Sequence, residues 1–532
     1  MRKLLSMRLH FYSLILLVGT YLLALTGCTS NNASAPPIWP SSVTINDGQF
    51  VDNLGRQVIL NGINVVSKSK KDNYIFQSGP EFYQNLAGWG FNSIRLILIW
   101  DGLEPEPGKY DEEYLKEIDQ RIKWAGENGL FVVLDMHQDL YSAKYSDGAP
   151  AWATLDEGAT HLTGEVWSDS YLISPAVHTA FDNFWANNPA ADGIGLQDHY
   201  AQLWKLLAQR YKDNKTVIGF DLMNEPFPGS VAQQAMPMLI GAYGNFVYEQ
   251  TGEILDEMEL ATIWSGTEQR MEAIQQLNTE EKYASVIDAL EPLVADFEKN
   301  QLQPFYQKVA LAIREIDQEH ILFLEHSYFS NMGIKSSIER TNLADGTPDA
   351  LVAYAPHGYD LVTDTDYAAE ASNHRVSLIY KRIKETGERL KMPIWLGEWG
   401  AFYSANEAIT PVAQHAISQI ETNLMSHAYW SYANGTEDLP YFKEAILRTY
   451  PASINGVIEN YQNDFDNKTF QMDWTESDQS TAPTLIYSPN AKNLAPNDTY
   501  EIQLIAGSDA GWIIIPATGT NDKRAISLTF GN

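Results

Sequence analysis

Short runs of apolar and β-branched residues alternate along most of the chain with stretches whose apolar residues recur at helical spacing. Eight such runs are QVILNGINV, NSIRLILIW, LFVVLDMHQD, VIGFDLMNE, HILFLEHS, LVAYAPHG, PIWLGEWG and HAYWSYAN. Strands separated by helices of this kind form parallel sheets, because each helix returns the chain to the same end of the sheet. Since eight strand–helix units make a (β/α)8 TIM barrel, the pattern predicts that fold.

The hydrophobic pattern changes after Tyr450-Pro451, where short alternating runs such as TFQMDWTES and TYEIQLIAG replace the helical segments. These runs predict a small C-terminal antiparallel β-sandwich over residues 463–532. Before the first barrel run, VTINDGQFVDNLGRQ carries two turn signals and predicts a hairpin that closes the barrel floor. The catalytic barrel is therefore expected to span residues 43–451.

Two connections are too long to be simple links between a strand and a helix. Residues 140–197 are rich in aromatic side chains, and residues 229–300 contain amphipathic helical segments such as MPMLIGAYGNFVYEQTG. Long connections above a barrel are usually functional. We expect a helical insertion near 229–300 that forms a lid or rim over the active site, although packing of the insertion alone would explain its apolar residues.

The first residues predict export and lipid anchoring. Residues 1–27 have a basic start and an apolar core, and they end in Leu-Thr-Gly before Cys28, which resembles a bacterial lipobox. We expect a lipoprotein signal peptide, lipidation of Cys28 and a tether over residues 28–42. Because Thr29 follows the cysteine, the lipid anchor is expected in the outer membrane of a bacterial cell envelope. A plain secreted protein or an uncleaved anchor is the alternative.

Composition excludes some partners. With Lys+Arg 36 and Asp+Glu 68, the 532-residue chain has a net charge of −32, which argues against nucleic acid as a partner. Cys28 is the only cysteine, so an intramolecular disulfide is impossible. We expect a monomer that needs no cofactor and no metal ion.

Polar side chains stand at the carboxyl ends of the predicted strands, where the active site of a barrel lies. They are Asn64, Arg95, His137, Asp139, Asn224, Glu225, Glu325, His326, His357, Tyr359, Glu398 and Trp430. Each alone has a structural explanation, such as a histidine that only satisfies a neighbouring hydrogen bond. Their recurrence on nearly every strand, at the same end, is what favours a shared site.

Two glutamates end otherwise apolar strands, and a buried carboxylate is costly unless it is paired or used. Glycoside hydrolysis uses such a pair. Glu225 is the candidate general acid and base, which protonates the leaving oxygen and later takes a proton from water. Glu398 is the candidate nucleophile, and Arg95 and the Tyr359 hydroxyl are expected to keep it ionised.

Two residues near the glutamates are expected to contact the sugar. Asn224, beside the acid/base residue, is expected to hydrogen-bond the 2-hydroxyl, and Trp430 offers a ring face for stacking. We predict retention of configuration, which requires the two carboxyl groups roughly 5–5.5 Å apart.

The motifs NEP, H-x-Y, EWG and the tryptophan of the eighth run resemble glycoside hydrolase family 5 of clan A. Within it, NGINVVSKSKKDNY, LDMHQDLYS and LRTYPASINGVIE resemble the endoglycoceramidase-like group, over about residues 43–489. The resemblance implies that the first sugar site is lined by Lys68, His137, Asp139, Asn224, Tyr359 and Trp430, together with Trp185. Without the resemblance, Lys68 would pass for a solvated surface charge.

The resemblance implies a retaining β-glycosidase that cleaves the bond between a glycan and a lipid aglycone by double displacement. Its substrate is then a glycolipid or an oligosaccharide. Within the same family, a β-glucan or β-mannan endo-hydrolase, or a steryl-glucoside or glucosylceramide β-glucosidase, remains an alternative.

Two other classes remain open on the residues alone. A metal-dependent barrel hydrolase would use the His137-x-Asp139 pair as ligands, although the first strand offers Asn64 and no histidine pair. A non-catalytic surface lipoprotein that binds glycans would have no need of both Glu225 and Glu398.

Overall fold

The computed structural model describes residues 39–164, 166–363, 365–495 and 497–531. The predicted signal peptide, Cys28 and most of the tether lie outside the described residues, so export and lipidation stay predictions. Among the described residues, no helix combines the length and the apolar character needed to cross a membrane.

The described chain opens with a hairpin. Its strands, and the short strand that follows, are β1 (Val43–Asn46), β2 (Gln49–Asp52) and β3 (Gln57–Val58). Asp47 and Gly48 both have positive φ, 48° and 71°, as the tight turn between β1 and β2 requires. Val43 and Phe50 are buried in one apolar cluster with the barrel residues Phe131 and Phe323, so the hairpin does close the barrel floor.

Eight parallel strands form the barrel. They are β4 (Asn61–Val65), β5 (Ser93–Ile99), β6 (Phe131–His137), β7 (Val217–Asp221), β8 (Ile321–Leu324), β9 (Val352–Tyr354), β10 (Trp395–Leu396) and β11 (Ser426–Tyr429). Their order in the sheet is β10-β11-β4-β5-β6-β7-β8-β9, and bridges between Tyr354 and Ile394 and between His357 and Glu398 link the two ends. The predicted TIM barrel is confirmed, and its strands are short and fully buried, as their unbroken apolar runs indicated.

Helices follow the strands. They are α1 (Pro80–Gly88), α2 (Trp100–Leu103), α3 (Glu112–Glu127), α4 (Asp169–Ile173), α5 (Pro175–Trp185), α6 (Leu196–Tyr211), α7 (Ala235–Thr251), α8 (Glu257–Ser265), α9 (Thr267–Gln276), α10 (Glu280–Ile287), α11 (Glu291–Phe297), α12 (Gln303–Arg314), α13 (Asn373–Leu390) and α14 (Ile409–Thr422). Polar caps start several of them: the Asp111 carboxylate accepts from the first turn of α3, and the Ser372 hydroxyl accepts from that of α13.

The connection between β7 and β8 is helical along most of its length. Helices α7–α11 form it, and a π-helical turn, Glu298–Leu302, joins α11 to α12. Tyr243 of α7 packs edge-on against Trp264 of α8, 5.6 Å between ring centroids. These helices lie at the carboxyl-terminal side of β7, on the side of the barrel that carries the candidate site.

The C-terminal strands are β12 (Tyr450–Ile454), β13 (Val457–Asp464), β14 (Thr469–Thr475), β15 (Thr484–Ser488), β16 (Glu501–Leu504), β17 (Gly511–Ile515) and β18 (Lys523–Thr529). They form two antiparallel sheets over one core, in which Trp474 of one sheet and Trp512 of the other are buried. Two differences from the sequence prediction stand out: the first strand starts at Tyr450, before residue 463, and β1–β3 belong to the same sheet, because β3 pairs with β12.

Candidate active site

Glu225 and Glu398 meet at the carboxyl end of the barrel. Glu225 follows β7 and Glu398 follows β10, on opposite sides of β8 and β9. One carboxylate oxygen of each and a ring nitrogen of His357 all lie within 4.8 Å of one another. The two glutamates line one pocket of about 430 Å³. Carboxyl groups this close match the separation in a retaining glycosidase, in which one carboxylate attacks the sugar directly.

The backbone of Glu225 is strained. Its φ is 44°, in the left-handed region, although it precedes Pro226 and would ordinarily be extended. Its N–H donates to Oε2 of Glu325 at 2.7 Å, which holds the peptide in this conformation. Strain of this kind persists only where the surroundings impose it, and it is typical of functional residues.

Arg95 is the buried cation beneath the pocket. Its guanidinium donates to Oε1 of Glu398 at 2.6 Å, to Oδ2 of Asp221 at 2.8 Å and to Oε1 of Glu325 at 2.8 Å. It also lies 3.0 Å from Oδ1 of Asp135. Burial opposes the charge of Arg95, but these carboxylates outweigh burial and raise its pKa well above the ordinary value. Burial in turn raises the pKa of Glu325 to about 8, while the charges of His357 and Arg95 act in the opposite direction.

His357 stands between the two glutamates. Its Nδ1 lies 2.9 Å from Oε1 of Glu225 and 3.5 Å from Oε2 of Glu398, and its Nε2 lies 3.2 Å from Oε1 of Glu325. Burial alone would lower the pKa of His357, but Glu325 and Glu398 outweigh it and raise that pKa well above its usual value. The imidazole is therefore a cation at neutral pH; its Nδ1–H donates to Glu225, and the ring lies within ion-pair distance of Glu398.

Glu398 also accepts a hydrogen bond from the Tyr359 hydroxyl at 2.9 Å. Burial raises the pKa of Glu398, while His357 and Arg95 act in the opposite direction. The ionised form of this carboxyl thus depends on its two cationic neighbours and on the phenol.

Lys68, which the sequence alone would leave at the surface, lies in the pocket. Its ammonium pairs with Asp139 and sits 4.6 Å from the centroid of the Trp430 ring. Burial would raise the pKa of Asp139, but Lys68 and His137 outweigh it and lower that pKa to about 2. The His137 ring stacks on Trp430 at 5.3 Å, and burial followed by the charge of Lys68 lowers its pKa to about 3, so it is neutral.

Both candidate asparagines contact Arg95. Oδ1 of Asn224 accepts from Arg95 at 3.0 Å, and its amide nitrogen donates to the carbonyl of Gln138 at 3.1 Å. Oδ1 of Asn64 accepts from Arg95 at 3.2 Å, beneath the pocket. Of the two, Asn224 lines the pocket and can reach a sugar hydroxyl.

Trp185 does not line the sugar pocket, contrary to what the family resemblance implied. Its indole N–H donates to the carbonyl of Phe227 at 2.8 Å, and its ring packs against Phe297 and Phe305. It is a buried residue of the aromatic core, because α5 directs it toward α12 and not toward the pocket. The tryptophan of the same connection that does line the pocket is Trp167, 46% exposed and 5.9 Å from the Lys68 ammonium.

Asn331 and Asp147 were not singled out from the sequence. The Asn331 amide donates to Oε1 of Glu225 at 2.7 Å. Asp147 accepts from the backbone N–H of Asp139 at 3.1 Å, and burial followed by the charge of Asp139 raises its pKa to about 8. Neither stands at a strand end, so the pattern that located the other residues carried no signal for these two.

Among the described residues, three buried groups have donor atoms close enough to hold a metal ion. They are His137 with Asp139 and Asp147, Glu225 with His357 and Glu398, and Asp135 with Asp221 and Glu325. In each group a cationic side chain already pairs with a carboxylate: Lys68 with Asp139 in the first, His357 with Glu225 in the second, and Arg95 with Asp221 in the third. A divalent ion would have to displace a charged neighbour, which makes these groups better suited to ion pairing.

A second, more apolar cavity adjoins the pocket. Its volume is about 610 Å³, and the insertion helices supply Met236, Leu239, Trp264, Met271 and Ile274 to its wall. Both cavities are lined by Trp167, Ser168, Tyr328, Met332, Leu361 and Thr363. A polar pocket with the two carboxylates thus adjoins a more apolar space to which the insertion contributes one wall.

Residues 51–436 match the family model described as cellulase (glycosyl hydrolase family 5), and residues 448–525 match the glycoside hydrolase family 5 C-terminal domain. The chain is 35% identical over 233 residues to an endoglycoceramidase of Cyanea nozakii, covering 38% of this chain and 44% of that protein. It is 25% identical over 487 residues to endoglycoceramidase I of Rhodococcus hoagii, covering 88% and 84%. The lactosyl-enzyme intermediate of endo-glycoceramidase II from Rhodococcus sp. superposes with a TM-score of 0.68 at 25% identity, covering 91% of this chain and 99% of that chain. The chain spans less than half the length of the Cyanea relative.

Proposed function

The chain belongs to glycosyl hydrolase family 5, and from this premise we propose that it is a retaining β-glycosidase of the endoglycoceramidase-like group. It cleaves the bond between a glycan and a lipid aglycone. The relatives named above are endoglycoceramidases, one of them captured as a lactosyl-enzyme intermediate, and they support this activity.

The observation that carries the proposal is that the polar pocket holding the two glutamates adjoins a cavity of more apolar character. The pocket that Lys68, Asp139, Asn224 and Trp430 line offers charges, an amide and a ring face, which suit a sugar. The adjoining apolar cavity suits an alkyl chain or a similar hydrophobic group. An enzyme acting on a polysaccharide would need hydrogen-bonding and stacking groups on both sides of the carboxylates.

In the first step, an oxygen of Glu398 attacks the anomeric carbon while Glu225 gives its proton to the glycosidic oxygen. The lipid alcohol leaves, and the sugar stays bound to Glu398 as an ester. Arg95 and Tyr359 hold the carboxylate of Glu398 in place and stabilise its charge until the attack.

In the second step, Glu225 takes a proton from water, and the oxygen of that water attacks the anomeric carbon and releases Glu398. Because each displacement inverts the anomeric centre, the two together retain its configuration. The cation of His357 remains beside both carboxylates throughout and limits their mutual repulsion as the proton moves.

We further propose that the chain is exported and anchored through a lipid on Cys28, which would bring the site to membrane-embedded substrate. The sequence motif at residues 25–28 supports this. Labelling of the expressed protein by radioactive palmitate, lost in Cys28→Ser, tests it.

The substrate is tested by product analysis. Purified protein is expected to release intact lactose and ceramide from lactosylceramide. Activity on other substrates without action on lactosylceramide would contradict the proposal. Release of glucose from a steryl glucoside would then indicate a β-glucosidase, and cleavage of cellooligosaccharides would indicate a glucan hydrolase. Loss of all activity in EDTA, restored by a divalent metal, would favour a metal-dependent mechanism.

A further inference from the structure

Beyond the two glutamates, one segment joins the insertion to the acid/base residue. This segment, residues 327–337, follows β8 and contains the short 3-10 helix Tyr328–Met332. Asn331 on it contacts Glu225, and Tyr328 and Met332 line both cavities. Its position depends on partners from the insertion, the β7 end and the β9 end.

The orientation of the Asn331 amide follows from its other neighbour. Nε2 of His326 lies 3.0 Å from Oδ1 of Asn331 and 3.1 Å from the carbonyl oxygen of His357. A carbonyl only accepts, so Nε2 of His326 carries a hydrogen, and Oδ1 of Asn331 accepts from it. Burial lowers the pKa of His326 to about 3, so the ring is neutral and this tautomer is fixed. The amide nitrogen of Asn331 therefore faces Glu225.

Glu225 is then held asymmetrically. Its Oε1 accepts from Asn331 at 2.7 Å and from His357 at 2.9 Å. Among the described residues, none donates to Oε2. A proton on Oε1 would compete with two donors, so the proton resides on Oε2, the oxygen left for the substrate.

Glu298 fixes both ends of the segment. It is fully buried at the start of the π-helical turn that follows the insertion. Its Oε1 accepts from the Ser327 N–H at 2.9 Å and from the Ser336 hydroxyl at 3.0 Å, and its Oε2 accepts from the Ser337 N–H. One carboxyl thus spans the two ends of the loop that presents Asn331. Burial raises the pKa of Glu298 to about 7, and these donors oppose the rise.

We propose that Asn331 and Glu298 are positioning residues for the general acid: the Asn331 amide directs the proton of Glu225 to Oε2, and Glu298 holds the segment that places Asn331. The inference rests on the proposed glycosidase function and assigns two residues to its first chemical step. It also gives the insertion a second link to the chemistry, because Tyr283 of α10 donates to the carbonyl of Met332 at 2.7 Å in the same segment.

The experiment compares Asn331→Ala with the control Ser330→Ala on two substrates. Lactosylceramide has a poor leaving group that needs the proton, whereas dinitrophenyl β-lactoside has a leaving group that departs without one. For Asn331→Ala, we expect kcat/KM to fall about tenfold to hundredfold on lactosylceramide, the effect of one hydrogen bond to the carboxylate that Glu225 becomes as it gives up its proton. On the dinitrophenyl substrate the loss should stay below about threefold.

Ser330 is the matched control because it is the adjacent buried residue, and its hydroxyl has no hydrogen-bond partner among the described residues. Its variant should resemble the wild type on both substrates. Equal losses on the two substrates for Asn331→Ala, or no loss on either, would overturn the proposal. A wild-type protein inactive on both would overturn the proposed function itself, and the inference with it.

Glu298→Gln tests the second residue, with Glu257→Gln on the same insertion as its exposed control. We expect a smaller loss of kcat/KM that depends on the leaving group in the same way. The double variant with Asn331→Ala should lose little more activity than Asn331→Ala alone. If Glu298→Gln does not fold, Ser336→Ala removes one donor and takes its place. A multiplicative loss in the double variant, or a lower Tm with an unchanged preference between the substrates, would show a purely structural role.

Discussion

At Glu398, burial favours the neutral carboxyl group, whereas the neighbouring positive charges favour the carboxylate. It accepts from Arg95 and Tyr359 and faces the cation of His357, yet burial raises its pKa. A nucleophile must be ionised, so the protein has to supply these partners to keep a buried carboxylate charged near neutral pH.

This balance predicts the acidic limb of the pH profile. Glu398 loses its charge as the pH falls through its pKa, and kcat/KM falls with it. Because burial raises that pKa, the limb is expected above the ordinary glutamate value of about 4.3. Tyr359→Phe removes a donor to the charged form and should move the limb upward by about one pH unit. The profile on dinitrophenyl β-lactoside measures both.

A limb at or below the value of a free glutamate would contradict this description of Glu398. So would a limb that stays in place in Tyr359→Phe. Ser330→Ala provides a control for handling and buffer effects, since its hydroxyl has no hydrogen-bond partner among the described residues.

Much of the site could be predicted at the scale of residues because parallel strands end on one rim. Arg95, Glu225, His357 and Glu398 all follow from that rule. Asn331 did not, because it lies on a 3-10 turn beyond β8, where no periodicity fixes its direction. Trp185 was placed in the sugar site by resemblance, and the helix that carries it turns the ring into the core.

Among the elements, the insertion α7–α11 has the clearest consequence. The sequence indicated helices there, but not whether their apolar faces pack together or line a space. The structure shows both: Tyr243 and Phe246 are buried in the core, while Leu239, Trp264 and Met271 face the apolar cavity. Amphipathic spacing cannot distinguish the two, because a core and a lipid site require the same residues.

A charge placed in this cavity should impair lipid substrates selectively. Met271→Asp introduces a carboxylate that an alkyl chain would have to desolvate, so KM for lactosylceramide should rise at least about tenfold. Turnover of dinitrophenyl β-lactoside, which places no chain there, should stay near the wild-type rate. Steady-state kinetics with both substrates in the same detergent provide the measurement.

Met258→Asp is the matched control, since Met258 lies on the neighbouring helix α8 and is 77% exposed. It should leave both substrates unaffected. An unchanged KM for lactosylceramide in Met271→Asp would mean that the cavity does not receive the lipid.

At the scale of the whole molecule, the barrel and the C-terminal sheets cannot be separated at Pro451. The strand β3 pairs with β12, and the backbone N–H of Asn463 in β13 donates to Glu421 of α14 at 2.8 Å. The sequence suggested two consecutive domains because their hydrophobic periods differ. It could not show that the N-terminal hairpin joins the later sheet, since pairing between strands hundreds of residues apart leaves no local pattern.

Truncation after Pro451 is therefore expected to abolish cooperative folding. It removes the partners of β12 and exposes apolar residues of the sandwich core such as Tyr450 and Ile59. Thermal unfolding followed by circular dichroism should show no sharp transition, and activity on dinitrophenyl β-lactoside should be lost. A soluble truncated barrel with full activity would show that the C-terminal sheets are dispensable.

The proposed mechanism requires that Glu398 form a covalent bond to the anomeric carbon whose glycosidic oxygen Glu225 protonates. The most direct measurement is mass spectrometry of the protein after incubation with a dinitrophenyl 2-fluoro-β-lactoside, which forms the glycosyl ester but hydrolyses it slowly. We expect one added fluorolactosyl group, mapped by peptide digestion to Glu398 and absent in Glu398→Gln. A label on another residue, or turnover of dinitrophenyl β-lactoside without any label, would contradict it.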